Sequence, residues 1–260
     1  MSTSKETKIN KLLQNIPSGI VLTSNWLRHA GYSAELIRNY KKSRWFESIG
    51  RGALKRYRDK IDYFGGIYAI QHQLGLSVHP AAKTAINLQG RAQYVAFNLN
   101  EVYVMGDKNE RLPQWFKQYP WKSEVIYKTA AFLPKGIGML NYEYKSFTIQ
   151  ISGAARALME YLYLNTDEMS LIEGYEIMEN LNDFVPSEVQ GLLEKCTSVK
   201  VKRLFLYLAE KAEHPWFKYL DIDKIELGHG KRSYVDQGRY VAKYKITVPK
   251  EIAQDDTSEI

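Results

Sequence analysis

The chain has 260 residues and a single cysteine, Cys196, so it cannot form an internal disulfide. One cysteine also provides no thiolate cluster for a metal, and such a composition is typical of the reducing cytoplasm. The first residues, MSTSKETKIN, lack the apolar core of a signal peptide, and no apolar stretch is long enough to span a membrane. These absences predict a cytoplasmic protein with no membrane partner.

Patterns typical of catalysis are also scarce. No Ser, His, Asp or Cys combination has the spacing of a nucleophilic site, so the sequence predicts no catalytic residue and no cofactor. The histidines are scattered without the spacing of metal ligands, and no metal site is predicted: His29, His72, His79, His214 and His229.

One enzymatic alternative stays open. Glu143 and Lys145 form an E-x-K triplet, and Asp107 lies upstream of it. A metal-dependent nuclease needs two carboxylates to hold the metal and a lysine to steady the attacking water. The spacing is loose, and E-x-K triplets also occur by chance.

The positive charge of the chain is concentrated near its beginning. Residues 1–60 contain 13 Lys and Arg against 4 Asp and Glu, a balance of +9 in a chain whose net charge is +7. The remaining residues therefore carry a balance of −2. A compact basic module is what contact with a nucleic-acid backbone requires, because affinity comes largely from neutralising phosphates. A lysine-rich face that only keeps the protein in solution is the alternative.

Residues 19–60 predict a winged helix-turn-helix. Thr23 and Ser24 are good N-cap residues for a short helix, and Gly31 stands where a left-handed residue would end it. Ser33 then caps a second helix with apolar residues on one face and polar ones outward. An arginine-rich hairpin around residues 50–52 follows as the wing. A preceding helix over residues 5–16 completes a three-helix core.

The chain then changes character. Helices are predicted over residues 62–74 and 80–88, with Pro80 in the first turn of the latter. From residue 95 onward, strands rich in β-branched and aromatic residues come first, then helices, including one from 154 to 164 capped by Ser152. The predicted fold is α+β: a winged-helix domain with trailing helices at residues 1–93, and a larger mixed α/β domain at residues 94–260.

A further helix contains Val201 in an apolar stripe, and basic residues lie beside that stripe. Lys200, Lys202 and Arg203 would then form a solvated helix face. With Lys231 and Arg232 they could instead form a second basic surface for a nucleic acid or an acidic partner.

Four segments together resemble the AbiEi family of antitoxins from type IV (abortive infection) toxin–antitoxin systems. They are VLTSNWLRHAGYSAELIRNYKKSRWFESIGRGALKRY at 21–57, AAKTAINLQGRAQY at 81–94, ISGAARALMEYL at 151–162 and GHGKRSYVDQGRYVAKYKITVP at 228–249. The resemblance covers nearly the full length. It implies a winged-helix domain followed by an antitoxin domain in a phage-defence protein. It also implies repression of the protein's own operon through inverted repeats in double-stranded DNA at its promoter.

The resemblance further implies a partner toxin resembling a nucleotidyltransferase, which the antitoxin counters without a stable complex. The DNA-binding residues that it implies, together with the neighbouring basic positions, are Ser33, Arg38, Asn39, Lys41, Lys42, Arg44, Arg51, Lys55, Arg56 and Arg58. The residues matching positions of the antitoxin domain, expected to form its surface, are Lys83, Thr84, Arg156, Lys202, Arg203, Lys231 and Arg232.

The sequence thus predicts an autorepressor and antitoxin without enzymatic activity. Two other functions remain as alternatives. One is a winged-helix transcription regulator whose C-terminal domain senses a ligand, and the other is the metal-dependent nuclease with Glu143 and Lys145.

Overall fold

The computed structural model describes residues 7–91, 100–165 and 167–253. Its helices are α1 (Lys8–Asn15), α2 (Ser24–His29), α3 (Ala34–Lys42), α4 (Tyr63–His72), α5 (Ala82–Leu88), α6 (Gln114–Gln118), α7 (Ala154–Leu164), α8 (Glu168–Glu179), α9 (Pro186–Lys195), α10 (Val199–Lys211) and α11 (Lys250–Ala253), with 3-10 turns at Phe217–Tyr219 and Ile222–Lys224. Its strands are β1 (Leu22–Thr23), β2 (Phe46–Gly50), β3 (Ala53–Arg56), β4 (His79–Pro80), β5 (Glu101–Asp107), β6 (Glu124–Ala130), β7 (Met139–Tyr144), β8 (Phe147–Ser152), β9 (Arg232–Ser233), β10 (Arg239–Val241) and β11 (Ile246–Val248).

The N-terminal elements form the predicted winged helix. Their order is α1, β1, α2, α3, β2, β3, and the three strands make an antiparallel sheet in the order β1-β3-β2. The side chain of Thr23 caps α2 by accepting from the amide of Trp26, and Ser33 caps α3 by accepting from that of Leu36. Gly31 between the helices has φ +87°, a conformation that glycine adopts without strain. The predicted caps and turn are confirmed.

Helix α4 contains two adjacent glycines because other parts of the chain come very close to it. The Asp62 side chain caps the helix by accepting from the amide of Gly65. A Cβ at Gly65 would overlap the carbonyl oxygen of Gly19, and one at Gly66 would lie 2.7 Å from the ring of Phe116. The glycines therefore permit close packing, which offsets their low helix propensity.

The end of α4 joins the winged helix to the rest of the chain. Gln71 donates to the backbone carbonyl of Gln150 on β8 at 2.8 Å and accepts from its amide at 2.9 Å. Gln73, immediately after the helix, donates to the carbonyl of Val21 at 2.8 Å and accepts from the amide of Thr23 at 2.7 Å. Neighbouring residues thus hold β8 on one side and the winged-helix sheet on the other.

A mixed sheet follows in the order β4-β5-β6, with β4 antiparallel and β6 parallel to β5. Strands β7 and β8 form an antiparallel hairpin beside it. The prediction of Pro80 in the first turn of a helix is wrong. Pro80 lies in β4 opposite Val104, and α5 begins only at Ala82, whose amide donates to the carboxylate of Glu160 at 3.2 Å.

The C-terminal part is built around helix α10. Residues 201 to 209 are all buried, because α7 and α8 pack on the helix and later segments cover it. A small sheet in the order β10-β11-β9 ends this part. The predicted cap of α7 by Ser152 is also wrong: Gly153 is the cap residue, and the buried hydroxyl of Ser152 donates to Glu160 at 2.7 Å.

Two hydrophobic clusters form the core of the described residues. The N-terminal cluster joins α1–α4 and β1–β3 to buried side chains that come later in sequence: Val102, Val104, Leu112, Trp115, Phe116, Phe147, Ile149 and Ile151. The C-terminal cluster joins α7–α10 to the earlier helix α5. The predicted boundary between residues 93 and 94 falls outside the described residues and stays a prediction.

None of the helices in the described part of the chain combines the length and the hydropathy that a membrane span requires.

Candidate nucleic-acid interface

Helix α3 presents one buried face and one polar, mostly cationic face. Ile37 is 6% exposed and points into the core, and the ring of Tyr40 packs edge-on against Phe46 with centroids 6.0 Å apart. The five residues predicted in this region are all exposed: Ser33, Arg38, Asn39, Lys41 and Lys42. Of these, Arg38, Asn39 and Lys42 lie on the side of the helix away from Ile37. At 100° per residue, Arg38 and Lys42 lie on the same side of the helix, one turn apart.

The wing places further cations beside this helix. Arg51 and Gly52 form the turn between β2 and β3, and Arg51 is exposed. The carbonyl of Gly52 accepts from the amide of Ser24 at 2.8 Å, so the wing turn is fixed to the start of α2. Arg44 and Arg58 are also exposed, and both have positive φ, at 57° and 65°.

Two of the predicted wing cations have protein partners. Lys55 forms an ion pair with Glu47, and its ammonium also donates to the carbonyl of Asp59 at 2.6 Å. Arg56 donates through Nη2 to the carbonyl of Leu13 at 2.8 Å and to that of Ile16. Arg56 thus satisfies carbonyls at the end of α1, where a helix leaves them without intrahelical partners.

This geometry argues against Lys55 and Arg56 as DNA contacts. Their partners hold the winged helix together, and both residues are only partly exposed. The sequence grouped them with the wing because they are the two basic residues of its second predicted strand. It also overlooked Arg28, an exposed residue in the last turn of α2. The positive charge balance of residues 1–60, which counts Arg28, was the sequence signal that could have identified this residue.

The second basic surface is contradicted by burial. Lys202 is 4% exposed and Arg203 is 1% exposed. Lys200 is partly buried and donates to the carbonyls of Tyr163 and Asn165 at 3.2 and 3.1 Å. Burial lowers the pKa of Lys200 to about 8.

Arg203 binds the chain segment that covers α10. Its guanidinium donates to the carbonyl of Leu227 at 2.7 Å, of Gly230 at 2.8 Å, of Gly228 at 3.0 Å and of Lys245 at 3.3 Å. All four acceptors are backbone oxygens. The planar fork of arginine suits such a set, because its donors point in several fixed directions.

Arg156, a third member of the expected antitoxin surface, is 7% exposed. Its Nε donates to Glu160 at 2.7 Å, and its Nη1 donates to the carbonyls of Pro134 and Ile137 at 2.8 and 2.7 Å. Glu160 is 0% exposed and also contacts Nε2 of His79 at 3.2 Å.

The pKa of Glu160 follows from these partners. Burial alone would raise the pKa of a carboxyl group. The hydrogen bond and charge of His79, the charge of Arg156 and the hydrogen bond from Ser152 outweigh burial and lower the pKa of Glu160 to about 2. Glu160 is therefore an ionised, fully hydrogen-bonded buried group at neutral pH.

The other four residues of this set have mixed surroundings. Lys83 pairs with Glu173 at 2.5 Å, and the Thr84 hydroxyl accepts from the amide of Tyr103. Lys231 and Arg232 are exposed at the small C-terminal sheet. The expectation of one surface is thus wrong for Arg156, Lys202 and Arg203, while a role of the set in antitoxin action stays a prediction.

The nuclease residues have separate partners. Glu143 is exposed on β7, and Lys145 in the following turn pairs with Asp62 at 3.1 Å. Asp107, at the end of β5, lies 3.8 Å from Lys135. Among the described residues, no group of three or more His, Cys, Asp or Glu side chains could hold a metal ion.

Two family models match almost the whole chain. The model described as "Transcriptional regulator, AbiEi antitoxin N-terminal domain" matches residues 5–97, and the one described as "Transcriptional regulator, AbiEi antitoxin, Type IV TA system" matches residues 99–249. No curated protein matches the chain at a significant level of sequence similarity.

The crystal structure of the RV2827C protein from Mycobacterium tuberculosis is similar in fold. The alignment covers 92% of this chain and 89% of that chain, with a TM-score of 0.56 and 12% sequence identity. Since the identity is low, this likeness shows the fold alone. The family matches and the winged-helix fold agree: the chain belongs to the AbiEi family of transcriptional regulators and antitoxins of type IV toxin–antitoxin systems.

Proposed function

We propose that this protein represses its own operon by binding inverted repeats in the double-stranded DNA upstream of its reading frame. The observation that carries this proposal is the exposed face of α3, where cations and an amide stand together on a helix capped by Ser33. In winged-helix proteins a helix at this position enters the major groove. The excess positive charge of residues 1–60 supports the same role.

Within this surface the roles divide by chemistry. Arg38 and Asn39 would read base edges, because arginine pairs bidentately with guanine and asparagine with adenine. The remaining exposed residues would contact phosphates or sugars and position the protein: Ser33, Lys41, Lys42, Arg44, Arg51 and Arg58. Lys55 and Arg56 are left out because protein groups already bind them.

The test is equilibrium binding of the full chain to duplex DNA from its own upstream region and to a scrambled duplex, over a salt series. Log affinity falls linearly with log salt, and each phosphate contact adds about 0.9 to the steepness of that fall. Five cations at phosphates therefore give a steepness of about 4.5. Equal affinity for both duplexes at every salt concentration would refute operator binding.

Two substitutions separate base reading from phosphate contact. Arg38→Ala should weaken operator binding by about 1–3 kcal/mol and relax one base preference. Lys42→Ala should weaken binding to both duplexes equally and lower the salt slope by about 1. Lys195→Ala, an exposed lysine on α9, is the control and should change neither quantity. Unchanged base preference in Arg38→Ala would remove that residue from base reading.

We also propose that the C-terminal part counters a nucleotidyltransferase-like toxin in the cytoplasm, without a stable complex and without a catalytic step of its own. Family membership supports the antitoxin role. Co-expression of the full chain with the toxin encoded beside it should restore growth, while tagged protein should not retain the toxin through a wash. No rescue would refute the antitoxin role for that toxin, and co-purification would refute the absence of a stable complex.

A further inference from the structure

A cavity of about 450 Å³ lies beyond the carboxyl ends of β5 and β6, the parallel strands of the central sheet. Its walls come from the end of α4, the segment that leads from α4 into β4, the ends of β5 and β6 with the segments that follow them, the β7–β8 hairpin, and α7. The carboxyl ends of parallel strands are a common position for ligand sites in α/β sheets. The volume falls in the range of small-molecule pockets.

The walls combine apolar and polar side chains. The apolar ones include Met105, Phe132, Leu133, Met139 and Ile149, from different elements of the fold. Polar and charged side chains make up the rest of the lining, with Arg156 and Lys135 among them. Apolar surface that carries hydrogen-bonding groups is typical of sites that bury an organic molecule and orient it.

The carboxylates of the cavity already have donors. Glu160 accepts from Arg156 at 2.7 Å, from Ser152 at 2.7 Å and from the amide of Ala82 at 3.2 Å. Glu110 accepts from the amide and hydroxyl of Ser77 and from Lys135. These hydrogen bonds and Lys135 lower the pKa of Glu110 despite its partial burial, which alone would raise it. Neither Glu160 nor Glu110 needs a cationic ligand, and the third carboxylate of the lining, Asp107, accepts from the amide of Asn109.

Arg156 differs from these acids because one edge of its guanidinium has no protein acceptor. Nε and Nη1 make three hydrogen bonds, but no described residue accepts one from Nη2. The residue is 7% exposed and lines the cavity. Nη2 is not among the buried polar atoms that lack a partner, so it keeps contact with solvent, and an anion could pair with it without displacing a protein acceptor.

Lys135 adds a second, adjustable cation. Its side chain is 58% exposed, and its ammonium lies 2.9 Å from Glu110 and 3.8 Å from Asp107. An ammonium has three donors on a flexible stem, so it can keep Glu110 and still turn one N–H toward a ligand. Arg156 and Lys135 thus keep hydrogen-bond donors that a ligand in the cavity could use.

We propose that this cavity binds a small organic anion, with its carboxylate or phosphate on Nη2 of Arg156 and its apolar body between Phe132, Met139 and Ile149. Carboxylate and phosphate groups both present negatively charged oxygens that can accept hydrogen bonds from a guanidinium. The site is independent of the proposed DNA surface, because none of its lining residues belongs to α3 or the wing.

The test uses benzoate and phenyl phosphate as probes and neutral benzamide as their control, with sodium chloride matching the ionic strength. The readout is the melting temperature of the full chain. A ligand at about ten times its dissociation constant should raise it by about 3–6 °C. At least one anion should do so, and benzamide should not. No shift with either anion, or an equal shift with benzamide, would overturn the proposal.

Three variants locate the bound anion. Ala130→Trp places an indole in the cavity and should abolish the shift, whereas Thr129→Trp, on the exposed neighbour in β6, should retain it. Arg156→Lys keeps a cation near Glu160 but removes Nη2, and should weaken binding about tenfold. A shift that survives in Ala130→Trp would place the anion elsewhere, and full affinity in Arg156→Lys would exclude Arg156 as its partner.

Discussion

Replacing Arg203 with methionine tests whether the buried guanidinium holds the C-terminal part together. Methionine has a similar length and no donor, so the helix α10 keeps its packing while four backbone carbonyls lose their partner. Each carbonyl that stays buried without a partner costs about 1–3 kcal/mol. If all four stayed dry, the loss would be about 4–12 kcal/mol, which is comparable to the whole stability of many domains.

Two effects reduce that sum. Gly230 is exposed and Leu227 and Gly228 are half-buried, so part of this segment can turn its carbonyls toward water. Removing the charge also removes the cost of burying it, and Arg203 has no carboxylate among its hydrogen-bond partners to offset that cost. We therefore expect the free energy of unfolding to fall by about 3–5 kcal/mol. Arg203→Lys should lower the free energy of unfolding by about half as much. Its ammonium can bind some of the four carbonyls, but it cannot reach all of them as the planar guanidinium does.

Urea unfolding followed by far-UV circular dichroism measures this loss. Arg232→Met is the matched control, since Arg232 is exposed and its change should stay within about 0.5 kcal/mol. Operator binding at low temperature, where the variant is still folded, should be unchanged. A loss below about 1 kcal/mol in Arg203→Met would show that the carbonyls find other partners at little cost, and it would refute the reasoning.

Three further experiments test other parts of the core. Glu160→Gln should lower the free energy of unfolding by about 3 kcal/mol at neutral pH. The reason is that a carboxyl pKa lowered from 4.5 to about 2 adds stability that is present above pH 4.5 and lost as the pH falls toward 2. Unfolding of both proteins from pH 7 to pH 2.5 should show this difference shrinking, and a constant difference would contradict an ionised Glu160. Gly65→Ala should cost about 3 kcal/mol through overlap with Gly19, whereas Gly191→Ala on α9, where a Cβ would meet nothing within 4 Å, should add about 0.5–1 kcal/mol. Equal effects would rule out close packing at Gly65. Cys196 is buried, which raises its thiol pKa, so a thiol reagent at pH 8 should label it only in urea, and rapid labelling of the folded chain would contradict that burial.

The winged helix could be predicted from the sequence because its signals are local. Thr23 and Ser33 each cap the helix that follows, and Gly31 takes the left-handed turn between them. Such caps act over three or four residues, so their spacing alone identifies the helices. The outward positions of Arg38 and Lys42 could be predicted for the same reason, since the period of α3 separates them from Ile37.

The buried basic residues could not be predicted in this way. The apolar stripe of α10 correctly identified Val201 as buried, but Lys202 and Arg203 looked like a solvated face. Both are buried, and Arg203 is held by residues 227–230 and 245, which return to cover the helix in a way that local spacing does not reveal. Glu160 was missed for a similar reason, because its partner His79 lies about eighty positions earlier in the chain.

The two wing residues show a subtler limit. Lys55 and Arg56 lie on the predicted second strand of the wing, and their charge suits a phosphate contact. Arg56 instead reaches the end of α1, about forty positions earlier, and Lys55 pairs across the hairpin with Glu47. Charge predicts the type of partner, but only the packing of α1 against β3 determines which one is bound.

The winged helix and α6 share the N-terminal hydrophobic cluster, and this limits which segments could be exchanged with those of a relative. Trp115 and Phe116 of α6 touch Gly50 in the wing and Gly66 in α4 so closely that a Cβ at either glycine would lie within 3 Å of them. A chimera that exchanged only the N-terminal segment would pair new wing and α4 residues with the old α6, and both glycines would have to be preserved. If α3 reads the operator as proposed, its exposed face is a simpler unit to transplant than the whole N-terminal domain.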